Sequence, residues 1–197
     1  MTHEQFLALA TFAFVTSITP GPNNLMLMAS GANFGVRRTV PHMLGVALGF
    51  VFMAALVGAG LAQAFMAAPQ LHVLLKLVSV TYLLYLSWKI ATAPPPGDMA
   101  RAGRPMTFLA AAAFQWVNPK AWAMALTAVS VHAPSQTGWS IVVVAVVFGL
   151  VNLPSVGTWV VLGQQMRQVL TNPARMRAFN LLMAVLLIAS LYPVLLP

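Results

Sequence analysis

Two short segments place polar and helix-breaking residues inside an otherwise apolar chain, where they could bind a small polar ligand. The first segment is Thr19-Pro20-Gly21-Pro22-Asn23-Asn24, and the second is Gln115-Trp116-Val117-Asn118-Pro119-Lys120. Proline lacks a backbone N–H and clashes with the preceding turn, and Gly21 adds backbone freedom, so an interrupted helix is predicted at each segment. In lipid, a broken helix is tolerated only where it faces protein or a wet cavity. The candidate substrate-binding residues are Pro20, Gly21, Pro22, Asn23, Asn24, Gln115, Asn118, Pro119 and Lys120.

The first break is expected to begin a new half-helix near Pro22. The N-terminus of a helix carries free N–H groups and a partial positive charge, which favour an anion such as a substrate carboxylate. A kink that only serves packing is the alternative, since proline is frequent in membrane helices. The two asparagines beside the two prolines favour ligand binding.

Lys120 is the strongest single candidate for a functional side chain. It lies ~20 Å along its predicted helix, near the middle of the bilayer. An ammonium group at that depth costs at least ~2.5 to 3.5 kcal/mol, and the two acidic residues, Glu4 and Asp98, lie outside the predicted spans. Stabilisation is expected from carbonyl groups freed by the prolines, from asparagine amides, from water, from a substrate carboxylate or from release of the proton. We expect the two interrupted helices to meet around this side chain; the alternative is a lysine that snorkels to the cytoplasmic surface.

The composition of the chain indicates a lipid environment. Of 197 residues, 60% are hydrophobic and 6% are charged, a balance that soluble domains of this size do not show. A net charge of +8 would suggest nucleic acid in a soluble protein. The placement of the cations fits a membrane instead, so no nucleic-acid partner is expected.

Several functional classes are disfavoured by the residue types. Cysteine is absent, and the four histidines are not spaced as a metal pair on one helix, so neither a metal nor a cofactor is expected. The predicted spans hold no pair of aspartates and no Gly-rich nucleotide loop, which argues against an intramembrane protease and against ATP-driven transport. The chain is therefore predicted not to be an enzyme, and transport must draw on a gradient.

Hydropathy predicts an all-α integral membrane protein with six transmembrane helices. A span needs ~20 predominantly apolar residues, and the stretches that qualify are 5–28, 40–66, 71–91, 107–130, 139–162 and 178–196. A Pro-rich cytoplasmic linker, residues 92–106, separates a first three-helix repeat, residues 1–91, from a second, residues 107–197.

The distribution of cations predicts the orientation of these spans. Eight of the ten Lys and Arg residues fall on one side: Arg37, Arg38, Lys89, Arg101, Arg104, Arg167, Arg175 and Arg177. The opposite loops, residues 67–70 and 131–138, contain neither residue type, so the positive-inside rule places both termini in the periplasm. Because each half has three spans, the halves enter the membrane in opposite directions, as in inverted-repeat transporters.

Small residues in two of the predicted spans indicate close helix packing. They are Gly45, Gly49, Ala54 and Gly58 in the second span and Ala145 and Gly149 in the fifth. Small side chains at this spacing allow helix backbones to approach each other. In the fifth span, Asn152 and Pro154 mark a third possible helix irregularity, and the sequence leaves the role of Asn152 open between helix-to-helix hydrogen bonding and substrate contact.

At these residues the chain resembles the LysE/RhtB family of amino acid exporters, whose hallmark is a Pro-Gly-Pro element in the first span like Pro20-Gly21-Pro22. It is most similar to the cysteine/O-acetylserine exporter branch in that element with Asn23-Asn24, in Trp88-Lys89-Ile90-Ala91-Thr92, and in Phe114-Gln115 leading to Val117-Asn118 and Lys120. The resemblance implies a multi-pass exporter of the bacterial inner membrane, driven by the proton gradient or by exchange. Many members carry an acidic residue where this chain has Phe50 after Gly49, which argues against a carboxylate proton relay here.

The favoured interpretation is a secondary active exporter of small amino acids or their derivatives. Its cavity would hold a zwitterion, with the carboxylate near Lys120 and the N–H groups of residues 21–24, and with the ammonium near amide oxygens and freed carbonyls. A nontransporting membrane scaffold and a passive channel are the alternatives. The expected partners are an amino acid and membrane lipids. The sequence leaves open the identity of the substrate, the coupling ion and whether the chain forms a homo-oligomer.

Overall fold

The chain is helical throughout the part that the computed structural model describes, which comprises residues 1–61, 63, 67, 69–93, 103–133 and 137–192. The helices are α1 (His3–Ile18), α2 (Pro22–Phe34), α3 (Val36–Leu56), α4 (Pro69–Ala91), α5 (Phe108–Phe114), α6 (Pro119–His132), α7 (Gly138–Val169) and α8 (Pro173–Ala189). A π-helical turn, Val57–Leu61, extends α3, and a 3₁₀ turn, Gln115–Val117, extends α5. Within these residues there is no β-strand, so the prediction of an all-α fold is confirmed.

Among the described residues, three helical segments are long and apolar enough to cross a membrane by themselves. They are Val36–Leu61, Val73–Ala91 and Gly138–Val169. Large apolar side chains also cover the outer surface; Leu109 is 75% exposed and Leu150 is 72% exposed. Water does not favour such a continuous apolar coat, whereas lipid does. The fold is therefore that of a helical membrane protein.

Both predicted helix interruptions are confirmed. The first separates α1, which ends at Ile18, from α2, which begins at Pro22. The second separates the 3₁₀ turn after α5 from α6, which begins at Pro119. In each case proline occupies the first turn of the new helix, where its missing N–H costs no hydrogen bond.

Some helices run further than their apolar stretches. The helix α2 continues to Phe34, and α3 starts two residues later, after Gly35 with φ +78°, a conformation that favours glycine. The helix α7 continues to Val169. The predicted limits, 28 and 162, marked where apolarity falls, but backbone hydrogen bonding carries a helix into polar sequence. Most of the predicted linker, residues 94–102, lies outside the described residues.

The predicted close approach of the second span is confirmed on one helix face. A side-chain Cβ at Gly45 would overlap the carbonyl oxygen of Phe108, and one at Gly49 would lie 2.6 Å from Ala112 Cα. The glycines of α3 therefore allow direct backbone contact with α5. This contact fixes the position of the second break along the axis of α3.

The helices α2 and α7 approach each other even more closely, a contact not predicted from the sequence. A Cβ at Gly31 would overlap the carbonyl oxygen of Val160, and a Cβ at Gly163 would overlap that of Met28. The signal was present in the run Ala29-Ser30-Gly31-Ala32, where four small residues follow one another. This pair holds the first break against α7.

His42, in α3, is a buried histidine whose side chain makes no hydrogen bond within the described part of the chain. Its side chain is 3% exposed, and both ring nitrogens lack a partner. A buried polar group without a partner costs roughly 1 to 3 kcal/mol. We therefore expect His42→Leu to raise the unfolding temperature in detergent, by a stabilisation on the order of 1 kcal/mol.

The matched control for this prediction is Asn180→Leu. Asn180 is also fully buried, but it exchanges hydrogen bonds with Asn33 at 2.8 and 3.2 Å. Leucine at 180 leaves the amide of Asn33 without its side-chain partner, so this variant should unfold at a lower temperature. If His42→Leu is destabilised to the same extent, His42 has a partner in the folded protein, and the prediction is wrong.

Candidate functional site at the two helix breaks

The two interrupted segments come together, although they are about half the chain apart in sequence. The Nδ2 atom of Asn23 donates to Gln115 Oε1 at 2.8 Å, and Gln115 Nε2 donates back to Asn23 Oδ1 at 3.3 Å. The Nζ atom of Lys120 donates to the carbonyl oxygen of Thr19 at 2.7 Å, to its Oγ1 at 3.0 Å and to the carbonyl oxygen of Pro20 at 3.3 Å. The expected meeting of the breaks around Lys120 is therefore confirmed.

The end of α1 explains how the ammonium group is stabilised. The last carbonyl groups of a helix have no partner within the helix. Four carbonyl groups at and just after this end accept hydrogen bonds. Asn24 donates to those of Ser17 and Thr19 at 2.8 Å each, and the indole of Trp159 donates to that of Ile18 at 3.0 Å. Lys120 donates to that of Thr19 as well and to that of Pro20. Of the stabilising groups expected from the sequence, the freed carbonyls are the ones that Lys120 contacts.

Lys120 connects the N-terminus of α6 to the C-terminal end of α1. It lies in the first turn of α6, where Asn118 Oδ1 accepts a hydrogen bond from the Lys120 backbone N–H at 3.1 Å. A positive charge is unfavourable at a helix N-terminus and favourable at a C-terminus. Its side chain extends to the C-terminal end of α1, where the partial negative charge of the helix terminus stabilises the ammonium group.

Gly21 provides space for the lysine side chain. Its backbone is extended, with φ −178° and ψ 176°, a conformation that any residue can adopt. A Cβ at this position would lie 2.7 Å from Lys120 Cδ and 3.1 Å from Nζ. The backbone conformation at Gly21 therefore does not require glycine, whereas the space for Lys120 requires the absence of a side chain.

The new half-helix α2 begins at Pro22, as the sequence predicted. Gly21 is its N-cap residue, and no described side chain caps this end. The side chain of Asn24 turns back to the end of α1 instead. The positive pole of α2 thus starts directly beside Lys120, and the two together form a local environment that favours an anion.

A small cavity lies where the breaks meet. Its volume is about 20 Å³, and its lining includes six of the nine predicted site residues: Gly21, Asn23, Asn24, Gln115, Asn118 and Lys120. The prolines shape the breaks but do not line the cavity. This volume accommodates about one water molecule. The arrangement is therefore closed to a whole amino acid, and binding requires the surrounding helices to separate.

Three further residues belong to this site that the sequence did not assign to it. Ser17 and Asn152 line the cavity, and Asn152 Nδ2 donates to Ser17 Oγ at 3.1 Å. Trp159, which binds the end of α1, lies two turns further along α7. Ser17 lies in the last turn of α1, next to the first break, but a serine or tryptophan in an apolar helix gives no signal of its partner.

A helical membrane protein with two interrupted helices that meet at a polar centre has the architecture typical of secondary transporters. The family model for LysE type translocators matches residues 14–190. The chain therefore belongs to the LysE type translocator family, and the predicted family resemblance is confirmed.

Curated relatives agree with this family over nearly the whole chain. The chain is similar to proteins named "Cysteine/O-acetylserine efflux protein" from Escherichia coli, with 31% identity, and from Salmonella typhimurium and Shigella flexneri, with 30% identity each. Each match covers 95% of this chain and 96% of the relative. No solved structure matches the chain significantly.

Proposed function

We propose that this protein is a secondary active exporter of small amino acids in the bacterial inner membrane. The family and its efflux proteins confirm the prediction of an amino acid efflux transporter. The observation that carries the proposed mechanism is the contact of Lys120 with the freed carbonyl groups of Thr19 and Pro20, beside a cavity between the two breaks.

The proposed topology has six membrane spans in two inverted repeats, residues 1–91 and 107–197, joined by a cytoplasmic linker, residues 92–106. Each half follows the order of a broken helix and two further helices, so α1–α2 corresponds to α5–α6. The packing supports this correspondence. The helix α1 packs on α7 of the other half, and α5 packs on α3. The cation distribution supports periplasmic termini.

In the proposed mechanism, Lys120 acts as a latch that the substrate opens. In the closed arrangement its ammonium group ties α6, in the second half, to the end of α1, in the first half. A substrate carboxylate is a stronger acceptor for an ammonium group than a neutral carbonyl. It therefore competes for Lys120, with the N-terminus of α2 beside it, and weakens the tie between the halves. Rocking of the halves then exposes the site to the other side.

Small polar amino acids are the proposed substrates. The relatives' names refer to cysteine and O-acetylserine, and the site lining is rich in amides, which suit a small polar zwitterion. The coupling proposed is to an ion gradient or to exchange, because the sequence offers no nucleotide-binding loop.

The decisive experiment is efflux from vesicles that contain the purified full-length chain. Vesicles loaded with a panel of labelled amino acids, including cysteine and serine, should release some of them in a saturable way that depends on a gradient or on external substrate. A scaffold would release none faster than empty vesicles. A passive channel would show release without saturation or exchange, and either result would contradict the proposal.

Gly21→Ala should impair export by displacing the latch. Its methyl group would lie 2.7 Å from Lys120 Cδ, and overpacking of this kind costs ~1 to 3 kcal/mol, so we expect efflux to fall about tenfold. The control is Gly157→Ala, whose Cβ would meet Met43 Sδ at an ordinary 3.5 Å. Equal efflux in the two variants, at equal amounts of folded protein, would contradict the role of Gly21.

A further inference from the structure

Asn152, in the middle of α7, carries a buried oxygen atom that has no partner among the described residues. The side chain is 5% exposed, and its Nδ2 donates to Ser17 Oγ at 3.1 Å. Its Oδ1 is fully enclosed and accepts no hydrogen bond. A buried acceptor of this kind is costly, and native proteins usually satisfy it. The orphaned oxygen therefore calls for a donor that binds there.

This oxygen belongs to a residue that lines the cavity at the two breaks, where the neighbouring polar groups are already paired. Asn23 and Gln115 bind each other, and Asn24 binds the end of α1. Lys120 contacts Thr19 and Pro20. Asn152 Oδ1 differs from these groups because it is an enclosed side-chain oxygen that accepts no hydrogen bond within the described residues.

The two ends of a zwitterion have opposite requirements. A carboxylate only accepts hydrogen bonds, and an ammonium group only donates them. Lys120 and the N-terminus of α2 offer donors on one part of the cavity wall, whereas Asn152 offers a free acceptor from another helix. An amino acid is therefore oriented by the chemistry of the wall, with its two ends directed to different halves of the site.

We propose that Asn152 Oδ1 binds the ammonium group of the substrate and so restricts export to amino acids with a free amino group. This inference rests on the proposed function and adds to it a specificity-determining residue. It accounts for the orphaned oxygen, because the closed arrangement lacks the donor that the substrate brings. It also assigns Asn152, which the sequence left open between packing and substrate contact.

The test compares each amino acid with an analogue that lacks only the amino group. Vesicles containing the full-length chain are assayed for efflux of labelled cysteine and serine and of 3-mercaptopropionate and 3-hydroxypropionate. The wild type should prefer the amino acid in each pair. Asn152→Leu should lower that preference at least about tenfold, since the loss of one hydrogen bond to a charged group is of that size.

Two further variants test whether the Oδ1 atom, and not the rest of the Asn152 side chain, determines the preference for the amino acid. Asn152→Asp keeps an acceptor in place and should keep the preference. Ser17→Ala removes the partner of Nδ2 but leaves Oδ1 untouched, so it should keep the preference as well. Asn152→Ser replaces Asn152→Leu in the comparison if the leucine variant does not fold, as judged by gel filtration.

Each other result overturns the proposal. If the leucine or serine variant keeps the wild-type preference, Oδ1 does not bind the amino group. If it slows both members of a pair equally, and Ser17→Ala does the same, Asn152 only joins α7 to α1. If the wild type exports no panel amino acid, the proposed function fails together with this inference. Export with an unchanged preference refutes the inference alone.

Discussion

Lys120→Met is expected to abolish efflux of labelled cysteine from vesicles while the protein still inserts and folds. Methionine keeps an unbranched apolar side chain against Gly21 but removes the ammonium group. The three hydrogen bonds to Thr19 and Pro20 are lost, and so is the proposed partner of the substrate carboxylate. A hydrogen bond to a charged group contributes about 1.5 to 3 kcal/mol, and each 1.4 kcal/mol is about a factor of ten. Because the contacts to the end of α1 and the proposed contact to the substrate carboxylate are both lost, the rate should fall by about two orders of magnitude or more.

The matched control for this variant is Lys76→Met. Lys76 lies in α4 and is exposed on the surface, so its replacement changes the net charge equally without touching the breaks. Efflux of that variant should stay close to wild type. Folded Lys120→Met protein with wild-type efflux would show that the ammonium group is not required, and the latch mechanism would be wrong.

Gly163→Ala is expected to destabilise the fold severely. The alanine methyl group would overlap the carbonyl oxygen of Met28, which is backbone and cannot rotate away. The helices α2 and α7 must therefore separate along their length. Since α2 carries one side of the first break, that separation also disturbs the site. Overpacking in a core costs ~1 to 3 kcal/mol where side chains can adjust, so a backbone overlap should exceed that range and lower the folded yield sharply.

The control for this variant is Gly138→Ala at the start of α7, where a Cβ would meet nothing within 4 Å. Its unfolding temperature in detergent should equal or exceed that of the wild type, since alanine is the better helix former. Gly31→Ala, on the facing helix, should resemble Gly163→Ala. The double variant should lose less than the sum, because the first separation makes room for the second methyl group. Wild-type stability of Gly163→Ala would show that α2 and α7 lie further apart than described.

Local chemistry made the helix breaks predictable. A proline cannot donate a backbone hydrogen bond, and prolines beside glycine or asparagine marked both interruptions before any packing was known. A proline alone is not sufficient, because α3 and α7 continue through Pro41 and Pro154. The same holds for Lys120, because an ammonium group in a strongly apolar segment needs polar contacts in any fold. Confirmation of these predictions therefore depended on single residues and their immediate neighbours.

Predictions that depended on how residues share space were less successful. Gly21 was expected to supply backbone freedom, yet its backbone is extended and its value is the room that it leaves for Lys120. Gly31 and Gly163 were not singled out, although they set the spacing of α2 and α7. A glycine in a sequence does not reveal which atom stands opposite its missing side chain.

By itself, the sequence determined that this protein is helical, lipid-embedded and interrupted at two proline segments, because apolarity and missing donors act within one stretch of chain. Only the tertiary structure decided which polar groups form hydrogen bonds with one another. It joined Asn23 to Gln115, brought the end of α1 to Lys120 and left the oxygen of Asn152 without a partner among the described residues. Such pairings depend on the relative positions of helices far apart in sequence, and hydrogen bonds form or fail over a few tenths of an ångström.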